Sequence, residues 1–256
     1  MAKNTTPDIA RSLSRAVRIL RILAGPHANG LALTEIAKRA DIPHPTAHRL
    51  LRQLIVDGLV AMRKQHKYVL GPLAFELGLA AASWFDFRSR YQQSLIKLTE
   101  ITGDTVYLTA RSGFDAVCID RREGASPLQG LTVSVGSRRP LGVGVGGLAI
   151  ISELPPDEID EIVTENARRL DQFKHLTLDR MRVLIAETQA RGFAVSGNLV
   201  TLGVTAVGVA LFDARGRPYG ALCVAARNER MRASRQESVA GLIRQETEKI
   251  SAALIE

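Results

Sequence analysis

The chain has 256 residues, of which 46% are hydrophobic and 23% charged, and its formal net charge is +8. This length suffices for two globular domains with buried cores, and no apolar run approaches the roughly 20 residues that span a bilayer. We therefore expect a cytoplasmic protein with no membrane partner. Two isolated cysteines and five scattered histidines argue against a disulfide framework and a metal site, and no cofactor is expected.

The excess positive charge is confined to the N-terminal part of the chain. Residues 1–71 contain 12 Lys and Arg against 4 Asp and Glu, whereas the remaining residues contain 22 of each. A solvated charged face has the same composition as a nucleic-acid surface, so charge alone does not separate the two. Together with a readable motif in the same segment, it indicates a protein that binds duplex DNA.

Helical spacing of apolar residues predicts a first helix that ends at Gly25-Pro26. Its apolar positions are Leu13, Val17, Leu20 and Leu23. Thr34 is expected to cap a second helix. The buried face of that helix should consist of Ile36, Ala37 and Ala40. Asp41 follows in a tight turn, where Asp tolerates the left-handed conformation better than most residues.

The third helix begins near Pro43 and ends at Asp57-Gly58. Its apolar residues fall at i, i+3, i+4, i+7 and i+8 and are Ala47, Leu50, Leu51, Leu54 and Ile55. The opposite face carries side-chain types that hydrogen-bond bases or phosphates, so we expect a recognition helix. The residues expected to contact DNA from these two helices are Thr34, His44, Pro45, Thr46, His48, Arg49, Arg52 and Gln53.

His44 and His48 stand four residues apart, the spacing of a zinc-binding helix. No glutamate follows the first histidine and no third ligand is near in the sequence, so a metal site is not expected here.

Two short runs of alternating residues, 59–62 and 68–70, predict the strands of a wing. Its basic tip is expected to lie along the phosphates and consists of Arg63, Lys64, His66 and Lys67. Residues 72–85 predict a linker helix that leaves this domain. Its apolar face is wide for a helix surrounded by water, which suggests that a partner helix covers it in a dimer.

The N-terminal motifs resemble the winged helix-turn-helix domain of the IclR family of bacterial transcriptional regulators. The resemblance is carried by Ile42-Pro-His-Pro-Thr-Ala-His-Arg-Leu-Leu, similar to the family's Leu-Pro-Lys-Ser-Thr-Ala-His-Arg-Leu-Leu, and by Tyr68-Val-Leu-Gly at the wing. His44 and Pro45 stand where lysine and serine are usual, so the operator sequence should not be borrowed from relatives.

The resemblance extends to the rest of the chain through Gly103-Asp-Thr-Val, Arg191-Gly-Phe-Ala-Val and Asp213-Ala-Arg-Gly-Arg. It implies an α+β fold, with a winged helix-turn-helix domain at residues 1–71, a linker helix at 72–85, and a GAF-like effector-binding and oligomerisation domain at 86–256. The residues themselves also predict an antiparallel sheet flanked by helices in this last domain. The predicted strands are 105–110, 116–120, 130–135, 205–212 and 219–226, and the predicted helices are 87–101, 157–170, 178–191 and 234–255.

The segment at residues 140–149 contains Gly142-x-Gly144-x-x-Gly147, which formally matches a dinucleotide-binding fingerprint. That fingerprint requires a parallel strand-helix-strand unit, which the following residues do not predict, so nicotinamide binding is not expected. Two interpretations remain open. The glycines could bring backbone amides at a helix start close to a ligand carboxylate, or they could only let the helix pack closely on the sheet.

The resemblance implies an effector pocket built from this loop and the last two strands. The expected pocket residues are Val133, Gly142, Val143, Gly144, Val145, Asn198, Thr205, Ala206, Cys223 and Ala225. Several of them are less polar than the family's usual residues, which leaves two hypotheses, a weakly polar effector such as an aromatic acid or a lost effector site. Asn198 and Thr205 are the candidate polar contacts, unless they satisfy neighbouring backbone groups.

The expected function is DNA-binding transcriptional regulation that a small-molecule effector modulates. Its expected partners are a double-stranded operator, the effector, and further copies of the chain in a homodimer or a dimer of dimers. The alternatives are a constitutive DNA-binding protein with a purely oligomerising C-terminal domain, or an enzyme with an appended helix-turn-helix. No Gly-x-Ser-x-Gly elbow occurs, and His175 lies in a polar connection, so no enzymatic activity is expected.

Overall fold

The computed structural model describes residues 8–25, 27, 29–82, 87–128, 133–173 and 176–252. The chain divides into two compact units, Met1–Asp86 and Phe87–Glu256. The first unit contains the helices α1 (Asp8–Leu23), α2 (Leu33–Ala40), α3 (His44–Val56) and α4 (Pro72–Ala82), and the strands β1 (Val60–Arg63) and β2 (Lys67–Leu70).

A small core holds the first three helices against the wing. Ile19 and Leu23 of α1 pack with Ile36 of α2 and Leu51 of α3. The strands β1 and β2 pair antiparallel, and Leu31 adds a single bridge to Tyr68, so the wing is fastened to the segment before α2. The predicted winged helix-turn-helix is confirmed.

Only some of the apolar residues of α1 are buried. Ile19 is fully buried, whereas Leu13 is 65% exposed and Val17 38% exposed. The apolar spacing therefore predicted the helix correctly but not which of its residues enter the core of this unit.

The predicted cap of α2 was wrong. The helix begins at Leu33 with Ala32 as its N-cap, and no side chain caps it. The Ala32 carbonyl accepts hydrogen bonds from the amides of Glu35 and Ile36, which places Thr34 inside the first turn with its side chain exposed. The turn after α2 is as predicted, since Asp41 has a φ of 52° and its amide caps the helix.

The second unit is a six-stranded antiparallel sheet with helices on both faces. Its helices are α5 (Phe87–Arg90), α6 (Gln92–Thr102), α7 (Gly144–Ser152), α8 (Pro156–Asn166), α9 (Leu178–Arg191) and α10 (Ala233–Ala252). Its strands are β3 (Thr105–Ser112), β4 (Asp115–Arg122), β5 (Arg138–Pro140), β6 (Ala194–Gly197), β7 (Val204–Phe212) and β8 (Pro218–Arg227), in the order β5-β4-β3-β8-β7-β6.

Alternation along the strands sends side chains to two separate cores. On β3, Val106 and Leu108 pack with α6 and α10, whereas Tyr107 faces the opposite core, beneath α7 and α9. The sheet is therefore buried on both faces, which is why β7 and β8 are almost continuously apolar. This arrangement confirms the predicted α+β fold.

Three elements of the second unit differ from the prediction. The predicted strand at 130–135 was wrong where the structure describes it, since residues 133–135 are not a strand and the strand is β5, a few residues later. The predicted helix at 87–101 is interrupted at Tyr91, whose side chain is buried. The short strand β6 was not predicted at all.

One further helix ends earlier than predicted, and another is described only in part. The helix predicted at 157–170 gives way after Asn166 to a 3-10 turn over Ala167–Gln172, and α10 is described only to Ala252. The predicted positions 83–85 of the linker, 130–132 of the strand, 253–255 of the last helix, and His175 lie outside the described residues.

Candidate DNA-binding surface and effector cavity

The helix α3 presents a polar face opposite its buried one. Ala47, Leu51 and Leu54 are buried in the core of the first unit. On the other side the side chains of His44, Pro45, His48, Arg49, Arg52 and Gln53 are exposed, and Thr46 is half-buried. The structure thus places all the residues predicted for the recognition helix on or next to one accessible face.

The start of α3 fits a helix that approaches a phosphate backbone. Pro43 is the N-cap and Pro45 lies in the first turn, and no side chain caps the helix. The first amides of a helix have no partner within it, so they remain available to an anion. At the other end, the Gln53 amide nitrogen donates to Asp57 Oδ1 at 3.0 Å, so Gln53 has to release this bond to reach a base.

The wing tip is a tight basic turn. Residues Lys64–His66 form one turn of 3-10 helix, in which Gln65 and His66 have positive φ angles of 61° and 55°. Arg63, Lys64 and His66 are exposed and Lys67 is half-buried. Gln65 is also exposed at the tip. It is not among the predicted DNA contacts of the wing, which are its basic residues.

The cations of this surface make no ion pair with residues that the structure describes. Among the described residues, Arg49, Arg52, Arg63 and Lys64 make no ion pair, whereas Arg88, Arg111, Arg121, Arg138, Arg169, Arg230 and Arg235 of the second unit each bind a carboxylate. Arginines that fold a domain are paired inside it, and those that bind phosphates must remain accessible. The exposed cations of α3 and the wing therefore suit an anionic partner.

The second unit contains a cavity of about 100 Å³ between the sheet and the N-terminus of α7. Seven of the ten residues predicted for the effector pocket line it, and they are Val133, Val143, Gly144, Val145, Ala206, Cys223 and Ala225. The strands β7 and β8, the start of α7 with the residue before it, and the segment that precedes β5 supply them.

Three predicted pocket residues do not line the cavity. A Cβ on Gly142 would lie 2.8 Å from the Met181 side chain of α9, so this glycine permits close packing instead. Asn198 Oδ1 accepts from the Gly203 amide, and Thr205 Oγ1 donates to Asn228 Oδ1, each at 2.8 Å. Asn198 thus satisfies a neighbouring backbone group, as the alternative interpretation had it, whereas Thr205 bonds the Asn228 side chain.

The glycines of the α7 segment have two kinds of surroundings. A Cβ on Gly146 would lie 2.7 Å from Thr109 Oγ1, so this residue allows α7 to rest on β3. Gly144 is different, because its φ is +75° and its nearest neighbours are Arg139 Nη1 at 3.6 Å and a methyl group of Val200 at 3.8 Å. Gly144 thus faces the cavity, at the start of a helix that no side chain caps.

The polar groups of the cavity were not predicted from the sequence. They belong to Tyr107, Thr109, Ser137, Arg139, Ser196 and Thr201. The alternation of β3 offered a signal for Tyr107 and Thr109, which share a face. Nothing local distinguished Arg139 from its neighbour Arg138, which pairs with Asp115 at 3.0 Å.

Burial sets the protonation of the groups around the cavity. It raises the pKa of the Cys118 thiol to about 11 and raises the pKa of Cys223 further, so both thiols are protonated at neutral pH. Burial also raises the pKa of Tyr107 and lowers the pKa of Arg139. The cavity therefore offers hydroxyl groups, one guanidinium and no thiolate nucleophile among the described residues.

Two other observations bear on chemistry and location. The described residues contain no group of three or more His, Cys, Asp or Glu side chains placed to hold a metal ion. No helix in the described part of the chain combines the length and apolarity needed to cross a membrane.

An exposed helix-turn-helix with unpaired cations, joined to a domain with a small cavity, defines a DNA-binding transcriptional regulator. The family model "IclR helix-turn-helix domain" matches residues 12–63, and "Bacterial transcriptional regulator IclR C-terminal" matches residues 79–252. The chain therefore belongs to the IclR family of bacterial transcriptional regulators.

Characterised relatives match over most of their length. The acetate operon repressor of Salmonella typhimurium is 27% identical over 221 residues, which are 84% of this chain and 79% of the relative. The HTH-type transcriptional repressor AllR of Escherichia coli K12 is 28% identical over 249 residues, or 96% of this chain and 90% of the relative.

Solved structures share the fold of the whole chain. An IclR transcriptional regulator from Alicyclobacillus acidocaldarius has a TM-score of 0.73 at 25% identity and covers 95% of this chain and 98% of its own. An IclR homolog from Microbacterium hydrocarbonoxydans, complexed with 4-hydroxybenzoate, has a TM-score of 0.72 at 18% identity with the same coverage. At 18% identity, the similarity to the second structure shows a shared fold only.

Proposed function

We propose that this protein binds a pseudo-palindromic operator in the cytoplasm through α3 and the wing, and that a small organic acid in the cavity beside α7 changes the strength of that binding. The observation that carries the DNA-binding part is the row of exposed, unpaired cations on α3 and the wing tip. We assign the DNA contacts to the predicted residues of α3, to Thr34, and to the wing tip.

The proposed assembly is a homodimer, or a dimer of dimers, with two recognition helices per dimer. Its support is an apolar surface on α4, where Phe75 is 69% exposed and Leu77 and Leu79 are more than half exposed. Leu13 and Val17 of α1 add to the exposed apolar area of the same unit. A second copy of the chain would remove these side chains from water and set the distance between the two recognition helices.

The proposed regulation is a shift between two arrangements of the dimer. A ligand changes such an equilibrium only by the difference between its affinities for the two arrangements. The cavity suits a sensor better than a catalytic site, because the lining residues that the structure describes include hydroxyl groups but neither a histidine nor a carboxylate that could act as a base.

DNA binding is tested by measuring the affinity of the full chain for operator fragments, selected from a random duplex library, at several salt concentrations. We expect log affinity to fall linearly with log salt, with a slope of several units, because each neutralised phosphate releases condensed counterions. A flat slope would rule out the DNA contacts that we assign.

Effector control is tested in the same assay with a panel of aromatic and aliphatic acids. A change of operator affinity with one acid supports the sensor, and that acid should also raise the melting temperature of the protein. If no acid in a broad panel changes either quantity, the protein is a constitutive DNA-binding protein whose second unit only oligomerises.

A further inference from the structure

The cavity beside α7 has the size of one small ring. Its volume of about 100 Å³ is of the same order as the roughly 150 Å³ cavity that holds a single benzene molecule in an engineered protein. Most of its wall is apolar, and valines and alanines from α7, β7, β8 and the turn before α7 form it. Such a wall favours an aromatic or branched apolar body over a sugar or a small hydroxy acid.

One charge faces this apolar space. Among the cavity-lining residues that the structure describes, Arg139 is the charged side chain, and it reaches the cavity from β5. A Cβ on Gly144 would lie 3.6 Å from Arg139 Nη1, so the guanidinium lies at the N-terminus of α7. Burial is the largest influence on Arg139 and lowers its pKa, because the cation has lost hydration. A carboxylate in the cavity could form charge-assisted hydrogen bonds with this guanidinium.

The N-terminus of α7 also favours a carboxylate in the cavity. The helix α7 has nine residues and no side chain caps it, while Gly144, Val145 and Gly146 of its first turn line the cavity. The amides of a first turn have no partner within the helix, and the helix dipole favours negative charge there. A carboxylate at this place would meet the guanidinium and the free end of the helix together.

A second, independent observation points to a ligand. The Tyr107 side chain is 6% exposed, lines the cavity, and its hydroxyl has no hydrogen-bond partner among the described residues. Buried hydroxyl groups are normally paired, so this hydroxyl favours a ligand that carries a hydrogen-bonding group. Burial raises the Tyr107 pKa, so the group is a neutral donor at physiological pH.

We propose that Arg139 makes this cavity selective for anions and that the effector is a single-ring aromatic monocarboxylate, bound by the Arg139 guanidinium and by the Tyr107 hydroxyl. The inference rests on the proposed function, because it takes the cavity to be the effector site. One cation in an apolar wall matches one carboxylate, so a dicarboxylate would leave its second charge buried without a partner.

The test compares acids with their neutral amides on the purified full chain. The probes are benzoate and 4-hydroxybenzoate, each paired with benzamide or 4-hydroxybenzamide, which have the same shape and no charge. We expect at least one acid to bind at least about tenfold more tightly than its amide by calorimetry, because a charge-assisted pair is about twice as strong as a neutral one.

Two variants of Arg139 and one control connect that preference to the residue. Arg139→Gln should reduce the preference to less than about twofold, and Arg139→Lys should restore part of it, because lysine keeps the charge but not the guanidinium fork. Arg215→Gln, which alters an exposed arginine in the β7–β8 turn, should retain the full preference. Circular dichroism establishes that each variant is folded, and Arg139→Lys keeps the test valid if Arg139→Gln does not fold.

Three results would overturn the proposal. The first is that the amides bind the unaltered protein as tightly as the acids, and the second is that Arg139→Gln still prefers the acid. The third is that neither acids nor amides bind at millimolar concentration. In each case the operator affinity and its response to the wider acid panel are measured separately, so failure of this ligand assignment is distinguished from failure of the proposed regulator.

Discussion

The guanidinium of Arg88 donates a hydrogen bond to the carboxylate of Asp120, with 2.9 Å between Arg88 Nε and Asp120 Oδ2. Arg88 lies on α5, where the second unit begins, and Asp120 lies on β4. The hydrogen bond raises the pKa of Arg88. Two residues away on β4, the Cys118 thiol lines the cavity and contacts the Asp120 carbonyl oxygen at 3.5 Å. One strand therefore connects the cavity wall to α5, the first helix of the second unit.

Replacing Arg88 with alanine should disturb this connection at a measurable cost in stability. Arg88 is exposed but Asp120 is buried, so we expect the free energy of unfolding to fall by about 1–3 kcal/mol. We expect the affinity for an effector acid to stay within about twofold, because Arg88 does not line the cavity. The ratio of operator affinities with and without the acid should move toward one, as a coupling free energy is lost.

The control is Arg182→Ala, which breaks the exposed ion pair between Arg182 on α9 and Asp160 on α8. It should change neither stability nor the effector response. If Arg88→Ala leaves the ratio of operator affinities as it is in the unaltered protein, β4 does not couple the two units through this pair.

Substitutions on α3 and at the wing tip should reduce DNA affinity in different ways. Arg49 lies on the exposed face of α3, so Arg49→Ala should cost about 1–3 kcal/mol on the selected operator and less on a random duplex. Lys64 lies at the wing tip, so Lys64→Ala should weaken both duplexes alike and reduce the salt slope by about one.

Fluorescence anisotropy at several salt concentrations separates these two outcomes, with Arg215→Ala in the second unit as the matched control. An unchanged affinity in Arg49→Ala would remove Arg49 from the recognition surface. Equal losses on operator and random duplex would make it a phosphate contact instead of a base contact.

The sequence was informative where the determining interactions are local. The amphipathic spacing of α3 and the αL turn at Asp41 depend on neighbours within a few residues, and both were predicted correctly. The cap of α2 is also local, but the N-cap is Ala32, so the helix starts two residues earlier than a Thr34 cap would place it. A helix boundary of this kind depends on a single backbone hydrogen bond, which propensity does not fix.

Only part of the cavity lining could be predicted from the sequence. The register of the sheet determines which polar side chains face the cavity. Cys223 and Ala225 could be inferred from the family resemblance. Arg138 and Arg139 look alike in the sequence, yet alternation along β5 turns the first toward Asp115 and the second toward the cavity. That choice depends on the pairing of Ala116 with Arg139, a contact between β4 and β5 that no local pattern records.

Removal of the unpaired hydroxyl of Tyr107 should stabilise the protein in the absence of ligand. An unsatisfied buried donor costs free energy, so Tyr107→Phe should raise the free energy of unfolding by on the order of 1 kcal/mol. The matched control is Tyr91→Phe, because the Tyr91 and Tyr219 hydroxyls are hydrogen-bonded at 2.7 Å. Tyr91→Phe should lower the same free energy by about 1 kcal/mol.

Chemical denaturation of both variants at neutral pH measures these changes, and calorimetry with 4-hydroxybenzoate tests the ligand role of the same hydroxyl. A loss of stability in Tyr107→Phe comparable with that in Tyr91→Phe would show that the Tyr107 hydroxyl is already satisfied in the free protein.

A pH-dependent contribution to stability is expected from Glu246 of α10. Burial alone would raise the pKa of this carboxylate, but hydrogen bonds from Lys249 at 2.7 Å and Lys97 at 2.8 Å outweigh it, so the pKa is lowered. A lowered pKa means that the ionised form stabilises the fold. This stabilisation is complete above the ordinary value of 4.5 and is lost as the pH falls through the lower value of the folded protein.

We therefore expect Glu246→Gln to be less stable than the unaltered protein at neutral pH, and the difference to shrink as the pH falls below about 4.5. Urea denaturation, followed by circular dichroism at a series of pH values, measures both curves. The exposed Glu229→Gln serves as a control for the loss of one negative charge, and its curve should parallel that of the unaltered protein. If the Glu246→Gln difference stays constant down to the lowest pH at which the protein folds, the two lysines do not stabilise the ionised carboxylate.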